Sequence, residues 1–100
     1  MRVLITEQFN KSVIKLNDTD RQKVFSVFSR MEKMSKQEIF ESRQLIKLTA
    51  SEEKIYVIRN KDVRIFCTFE PEDSQEDMIF LDVVRKSSKN LKIPFNLTSR

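Results

Sequence analysis

Histidine, glycine and tryptophan are absent from this 100-residue chain, and Cys67 is its only cysteine. With no histidine and one cysteine, a zinc site built from the usual nitrogen and sulfur ligands is excluded, as is any catalytic triad that uses imidazole. With no glycine, the phosphate-binding loops of P-loop and dinucleotide-binding proteins are excluded, because both need glycine where the backbone approaches phosphate. A single cysteine cannot form an internal disulfide, which favours a reducing compartment. We therefore expect no metal and no cofactor.

Long apolar runs are also lacking. No stretch approaches the ~20 consecutive apolar residues of a membrane span, and the apolar start of the chain is too short for a signal peptide. We therefore expect a cytoplasmic protein with no membrane partner. The length is enough for one domain with a real core and not for two. Residues 1–100 are expected to form that single domain, with residues 91–100 as a basic C-terminal tail.

The net charge of +4 is unevenly distributed along the chain. Residues 1–84 carry 14 basic and 15 acidic side chains, whereas residues 85–100 carry five basic side chains and no acidic one. Positive charge gathered at one end favours a polyanion as the partner. The alternative is a solvated basic tail.

Two helices are predicted in the first third of the chain. Thr6 can cap a short amphipathic helix over residues 7–16, and a second helix begins after a polar break, with Thr19 or Asp18 as its cap. Two helices joined by a short turn form an antiparallel hairpin. The second helix has one apolar face, which indicates a core position, although a surface that binds a partner is the alternative. That face consists of Val24, Phe25, Val27, Phe28, Met31 and Met34.

Shorter elements lie on either side of this hairpin. Residues 2–5 are apolar and predict a first strand. Ser35 and Glu38 have the spacing of a capping box, which predicts a third, short helix over residues 36–42. Residues 44–50 fit either a strand or a packed connector.

From Lys54 onward the apolar period changes from that of a helix to that of a strand. Two strands are predicted around a tight turn at residues 60–61, and Pro71 is expected to end the second one. The acidic run over 70–77 is expected to be a solvated loop, followed by an interior strand over 78–84. The tail has four alternating apolar residues that either pack on the domain or form an edge strand: Leu91, Ile93, Phe95 and Leu97.

Two groups of basic residues are candidates for binding phosphate. Arg64 lies mid-strand beside an aromatic residue, where a guanidinium can hold a phosphate through two hydrogen bonds. An ion pair with Asp82 or with a helix acid is the alternative. Past the end of the last strand, clustered cations can contact phosphates and make binding salt-dependent, or else form a solvated strand end. This second group comprises Arg85, Lys86 and Lys89.

Tyr56 is the only tyrosine in the chain. It can stack on a base or donate a proton, and the alternative is a half-buried sheet residue. Cys67 falls on the core side of its strand and is expected to pack there.

The order of a helix hairpin, then IYVIRNKDVRIFCTFE, then MIFLDVVRKSSKN resembles the RelE/ParE superfamily of toxins from bacterial type II toxin–antitoxin modules. The resemblance is strongest to the RelE- and HigB-like branch and covers about residues 1–90. It implies an α+β fold in which an N-terminal helix hairpin packs on a small, mainly antiparallel twisted sheet. It also implies two partners, a cognate antitoxin protein and mRNA on the ribosome.

The activity implied by the resemblance is ribosome-dependent cleavage of mRNA, in which the 2′-hydroxyl attacks the adjacent phosphate. Arg64 and Arg85 would stabilise charge on that phosphate, and Tyr56 is a candidate for acid–base work or base stacking. Further contacts to RNA are assigned to Arg59, Lys61, Lys86 and Lys89, of which Lys86 or Lys89 can also supply a proton.

Two alternatives remain open within this resemblance. The ParE branch shares the fold and inhibits DNA gyrase without cleaving nucleic acid, and a degenerate basic RNA-binding module would share the charge pattern. The chain also departs from the family pattern. Ile55 and Val57 stand where some members carry lysines, and the C-terminal catalytic tyrosine of some members has no counterpart, with Phe95 nearby.

Overall fold

A computed structural model describes residues 1–47, 54–72 and 75–86. Three helices and one five-stranded sheet form an α+β fold, as the sequence predicts. None of the described helices has both the length and the apolar character that crossing a membrane requires. In chain order the elements are β1 (Val3–Ile5), α1 (Glu7–Ile14), α2 (Asp18–Glu32), α3 (Lys36–Glu41), β2 (Leu45–Lys47), β3 (Tyr56–Asn60), β4 (Val63–Glu72) and β5 (Gln75–Arg85).

The sheet is mixed, with the strand order β1-β5-β4-β3-β2. Three of its four ladders are antiparallel, and β1 pairs with β5 in parallel. The sheet is therefore mainly antiparallel, as predicted. β1 lies at one end of this strand order, and the long crossover that its parallel pairing with β5 requires is supplied by the chain between them.

The N-terminal helices are held by caps that the sequence identifies only in part. Thr6 caps α1, since its hydroxyl oxygen accepts a hydrogen bond from the Phe9 amide at 3.0 Å, as predicted. The predicted cap of α2 is wrong. Asn17 has the extended backbone of a cap and accepts from the Asp20 amide at 2.8 Å, so α2 already includes Asp18 and Thr19. A polar run with four cap-forming residues does not reveal which of them caps the helix.

The capping box that begins α3 is confirmed. Ser35 accepts from the Glu38 amide at 3.1 Å, and the Glu38 carboxylate accepts from the Ser35 amide at 2.9 Å. The ambiguous segment that follows contains a strand, since β2 pairs antiparallel with β3 and sets Ile46 opposite Val57.

The turn between β3 and β4 lies one residue later than predicted. Asn60 pairs with Val63 as the last ladder position, which leaves Lys61 and Asp62 as the two turn residues. Lys61 adopts the left-handed conformation, with φ of 57°. Asn60 stays in the strand because its side-chain amide donates to the Lys23 carbonyl of α2 at 3.2 Å, an interaction the local sequence does not reveal.

The prediction that Pro71 ends its strand is wrong, and so is the solvated loop over 70–77 wherever the structure describes it, since β4 runs to Glu72 and β5 begins at Gln75. Residues 73–74 lie outside the described residues. Pro71 pairs with Glu76 inside the β4–β5 ladder, beyond the part of β4 that faces β3. A proline is tolerated there because no second described neighbour needs its missing N–H. Asp77 is buried and forms a salt bridge with Arg2 at 2.6 Å, which neutralises an acid predicted to be solvated.

The core lies between the helices and one face of the sheet. Phe80 stands at its centre, with its ring centroid 5.4 Å from that of Phe9 and 5.8 Å from that of Phe28. The fully buried apolar side chains come from two helices and three strands, so one core joins the helices to the sheet. They are Val24, Val27, Met31, Ile39, Ile58, Val63, Ile65, Cys67, Met78 and Phe80.

Cys67 is part of this core, as predicted, and burial raises the pKa of its thiol to about 12. Because the thiolate is the reactive form, we expect a disulfide reagent at pH 8 to modify the native protein at least about a hundredfold more slowly than the unfolded chain. One thiol per chain should react at once in denaturant. A native rate close to the denatured one would contradict the burial of Cys67.

Candidate functional site

Two arginines stand side by side at the end of the sheet where β3 turns into β4. The two-residue turn fixes the register, so Arg59 of β3 lies directly opposite Arg64 of β4. Directly opposed residues project from the same face with their Cβ atoms about 5 Å apart. We call Arg59 and Arg64 the arginine pair. Lys61 is exposed in the adjoining turn.

The arginine pair projects from the face of the sheet opposite to the core. Ile58 and Ile65 are fully buried, and strand side chains alternate between faces, so their neighbours Arg59 and Arg64 point the other way. Val84 of β5 lies opposite Arg64 and is 42% exposed. The arginine pair is therefore the cationic part of an otherwise partly apolar sheet face.

No carboxylate among the described residues forms a salt bridge with the arginine pair. Arg64 instead donates to the backbone carbonyls of Lys61 at 2.6 Å and Val63 at 3.3 Å, and Arg59 is exposed. The alternative of an ion pair with Asp82 is not observed, since the Asp82 carboxylate accepts from the Ser12 hydroxyl at 2.5 Å. Like charges directly opposed on a sheet destabilise it, and an anion bound between them would remove that cost.

Arg85 projects from the other face, toward α2. One of its guanidinium nitrogens donates to both carboxylate oxygens of Asp20, at 2.7 and 2.8 Å, and the other lies 3.5 Å from Asp62. Lys23 approaches Asp20 at 3.4 Å. Burial alone would raise the pKa of the Asp20 carboxyl, but hydrogen bonding and charge attraction from Arg85, and then from Lys23, lower that pKa below its ordinary value.

Arg64 and Arg85, which the resemblance assigns to the same phosphate, lie at the same end of the sheet on opposite faces. Both reach the β3–β4 turn, Arg64 through the Lys61 carbonyl and Arg85 through the Asp62 carboxylate. The Lys86 amide donates to the Asp62 carbonyl at 2.6 Å, which fixes the end of β5 against the same turn. The Lys86 side chain is exposed there, and Lys89 lies outside the described residues.

Tyr56 does not join the arginine pair. It lies three residues before Arg59 on β3, on the core side of the sheet, and is half-buried. Its ring centroid lies 5.4 Å from that of Phe40 on α3 and 5.7 Å from that of Phe69 on β4. Tyr56 is therefore a half-buried sheet residue, which is one of the two alternatives that the sequence leaves open.

Asp20 is the residue of this region that the sequence does not identify. It lies in a polar run typical of helix caps, yet it is 1% exposed and holds Arg85 from 65 residues away. No local pattern reveals a partner at that separation. In the part of the chain that the structure covers, no three acidic or cysteine side chains are grouped as they would be to hold a metal ion.

Comparison with known proteins gave no match to any family model, curated protein or solved structure. The resemblance to the RelE/ParE superfamily therefore stays a prediction. What the site can do chemically follows from its own residues, above all from the exposed Arg59 and the half-buried Arg64, neither of which has a described counter-charge.

Proposed function

We propose that this chain is the toxin of a type II toxin–antitoxin module and a ribosome-dependent mRNA endoribonuclease of the RelE/ParE kind. The observation that carries the proposal is the arginine pair, in which Arg59 and Arg64 are opposed on the sheet face away from the core, without a described counter-charge. A guanidinium presents planar hydrogen-bond donors that match two phosphate oxygens, so an RNA backbone suits this pair.

The reaction needs charge stabilisation more than it needs an unusual base. The 2′-hydroxyl of a nucleotide gives its proton to solvent water as its oxygen attacks the adjacent phosphorus, the bond to the 5′-oxygen of the next nucleotide breaks, and a 2′,3′-cyclic phosphate and a 5′-hydroxyl form. Arg64 stabilises the extra negative charge on the phosphorane, with Arg59 beside it. Lys86, exposed at the same end of the sheet, donates the proton that the leaving 5′-oxygen takes up.

The two remaining predicted catalytic residues have more distant roles. Arg85 is held by Asp20, so a phosphate would have to replace that carboxylate for Arg85 to act on RNA. Tyr56 lies on the other face of the sheet and can reach the scissile phosphate at the arginine pair only after a rearrangement. Arg64 is therefore the main catalytic residue of the proposed reaction.

The antitoxin of this module would act at the arginine pair. An acidic segment of the antitoxin laid over the arginine pair would neutralise it and exclude RNA, because binding and inhibition would then use the same guanidinium groups. The substrate is mRNA engaged by ribosomes, which places the activity in the cytoplasm.

Expression of the chain alone in bacteria tests the proposal. Growth should stop within minutes of induction, and sequencing of RNA ends should reveal new 5′-hydroxyl ends within translated regions. Co-expression of the antitoxin should abolish both effects. Growth arrest with intact transcripts would contradict the nuclease function, and gyrase-linked DNA breaks in those cells would identify the ParE-like alternative.

A further inference from the structure

A cavity lies at the opposite end of the sheet from the arginine pair. Its volume is about 240 Å³, and it lies between the start of α3 and the ends of β3, β4 and β5. About three strand residues, or roughly 10 Å along β3, separate Tyr56 from Arg59, and the two project from opposite faces. The described residues that line the cavity are Lys36, Lys54, Tyr56, Phe69, Pro71 and Glu76.

Aromatic rings form one wall of this cavity. Tyr56 and Phe69 are both half-buried, with ring centroids 5.7 Å apart and ring planes at 71° to each other. Phe40 packs behind them at 5.4 and 5.5 Å. Rings locked in this way present a preformed surface on which a planar ring can stack.

The polar groups of the cavity are one carboxylate and two amines. Oε2 of Glu76 accepts from the Lys36 ammonium at 2.5 Å, which leaves Oε1 with no hydrogen bond to a described residue. The Lys36 nitrogen also lies 5.1 Å from the Phe69 ring centroid, so the ion pair is fixed against the aromatic wall. Lys54 is exposed, and its backbone is anchored by the Thr68 hydroxyl, which donates to its carbonyl at 2.8 Å.

These groups select a ligand class by complementarity. A planar ring suits the aromatic wall, an amino group on that ring can donate to Glu76 Oε1, and a phosphate suits Lys54. Adenine, cytosine and guanine each carry an exocyclic amino group on their pairing edge, whereas the N3–H of uracil lies between two carbonyl oxygens, which a carboxylate repels. We infer that the cavity is a nucleotide-binding site, separate from the arginine pair, that prefers bases with an exocyclic amino group, such as adenine and cytosine, over uracil.

The ligand can be a free nucleotide or one base of a single strand. A wider depression of about 530 Å³ adjoins the cavity and shares Lys36 and Glu76 with it. Lys33 is exposed at that depression, where it can contact the phosphate of a neighbouring nucleotide. A strand would therefore gain affinity from Lys33, and a free nucleotide would not.

Titration of the purified chain with AMP, CMP and UMP, followed by amide NMR, tests the inference. AMP and CMP should bind about tenfold more tightly than UMP, with the largest shifts at Tyr56, Phe69 and Glu76. Glu76→Ala should bring the three affinities together. Equal affinities in the wild type, shifts confined to Arg59 and Arg64, or no saturable binding would overturn it. The assay contains no ribosome and no mRNA, so its result is independent of cleavage.

Lys54→Ala is the variant least able to disturb folding, because that side chain is exposed. It should weaken AMP several-fold and leave adenosine unchanged, whereas Arg30→Ala, an exposed change of equal charge on α2, should affect neither. Equal effects of both variants on AMP would overturn the inference. A short A/C oligonucleotide that binds more tightly than AMP, and loses that gain in Lys33→Ala, would identify a strand as the ligand. Equal affinity for oligonucleotide and AMP would identify a free nucleotide.

Discussion

Replacement of Arg64 by alanine should abolish growth arrest and slow mRNA cleavage by about 100- to 1,000-fold, the usual loss when one preorganised donor to a developing oxyanion is removed. Arg64 is held over the β3–β4 turn by the Lys61 and Val63 carbonyls, so its guanidinium is already placed before RNA binds. Single-turnover cleavage of ribosome-bound mRNA measures the loss.

Two further variants test whether Arg64 acts through the geometry of its guanidinium group or only through its positive charge. Arg64→Lys should restore only a small part of the rate, because an ammonium cannot match two phosphate oxygens as a guanidinium does. Arg30→Ala removes an equal charge from an exposed site on α2 and should leave the rate within about twofold of the wild type. Equal loss of activity in Arg64→Ala and Arg30→Ala would show that net charge, and not the arginine pair, drives binding.

Replacement of Asp20 by alanine should destabilise the fold strongly. It removes a buried carboxylate that accepts two hydrogen bonds from Arg85 and one from Lys23. We expect the free energy of unfolding to fall by on the order of 2 kcal/mol, since hydrogen bonds to charged groups are lost. In a domain of this size that is about 10 °C in the melting temperature.

Asp18 provides the matched control for this change. It lies two residues earlier in the first turn of α2, and its side chain is 91% exposed beside Arg21. An exposed ion pair of this kind contributes little to the free energy of unfolding. Asp18→Ala should therefore shift the melting temperature by at most about 3 °C. Equal shifts for Asp18→Ala and Asp20→Ala would contradict the coupling of α2 to the end of β5 through Arg85.

The same carboxylate makes stability depend on pH in a predictable direction. The pKa of Asp20 is lower in the folded chain than its ordinary value of 3.8, so the folded state favours the charged form. This contribution is complete above about pH 4 and is lost as the pH falls through the lowered pKa. Asp20→Asn should therefore lose less stability than the wild type between pH 5 and pH 2 in acid-unfolding curves. Parallel curves would contradict the lowered pKa.

The elements that local chemistry determines could be predicted from the sequence. The hydroxyl of Thr6 and the reciprocal pair of Ser35 and Glu38 identify helix starts, because a cap and its amide lie within three residues. The change of apolar period along the chain separated the predicted helices from the predicted strands. The wrong assignments have non-local causes. Asn60 is held in its strand by Lys23 of α2, and Pro71 is tolerated because β5 is its one neighbour among the described strands.

The candidate site likewise has one part that the local sequence determines and another that depends on distant contacts. The two-residue turn at Lys61 and Asp62 sets Arg59 opposite Arg64, a pairing that the hairpin itself determines. The partner of Arg85 could not be predicted, because Asp20 is 65 residues away and becomes buried only when α2 packs on the sheet. The position of Tyr56 on the core side likewise depends on the packing of Phe40 from α3.

Ribosomes stalled on a defined mRNA and incubated with the purified chain offer the most direct measurement of the proposed function. Fragments that end in a 2′,3′-cyclic phosphate, with matching 5′-hydroxyl ends, should form from ribosome-bound mRNA and not from the same mRNA free in solution. The Arg64→Ala protein should produce almost none of them. Intact mRNA on ribosomes that are saturated with the wild-type chain would contradict the assignment of an mRNA endoribonuclease.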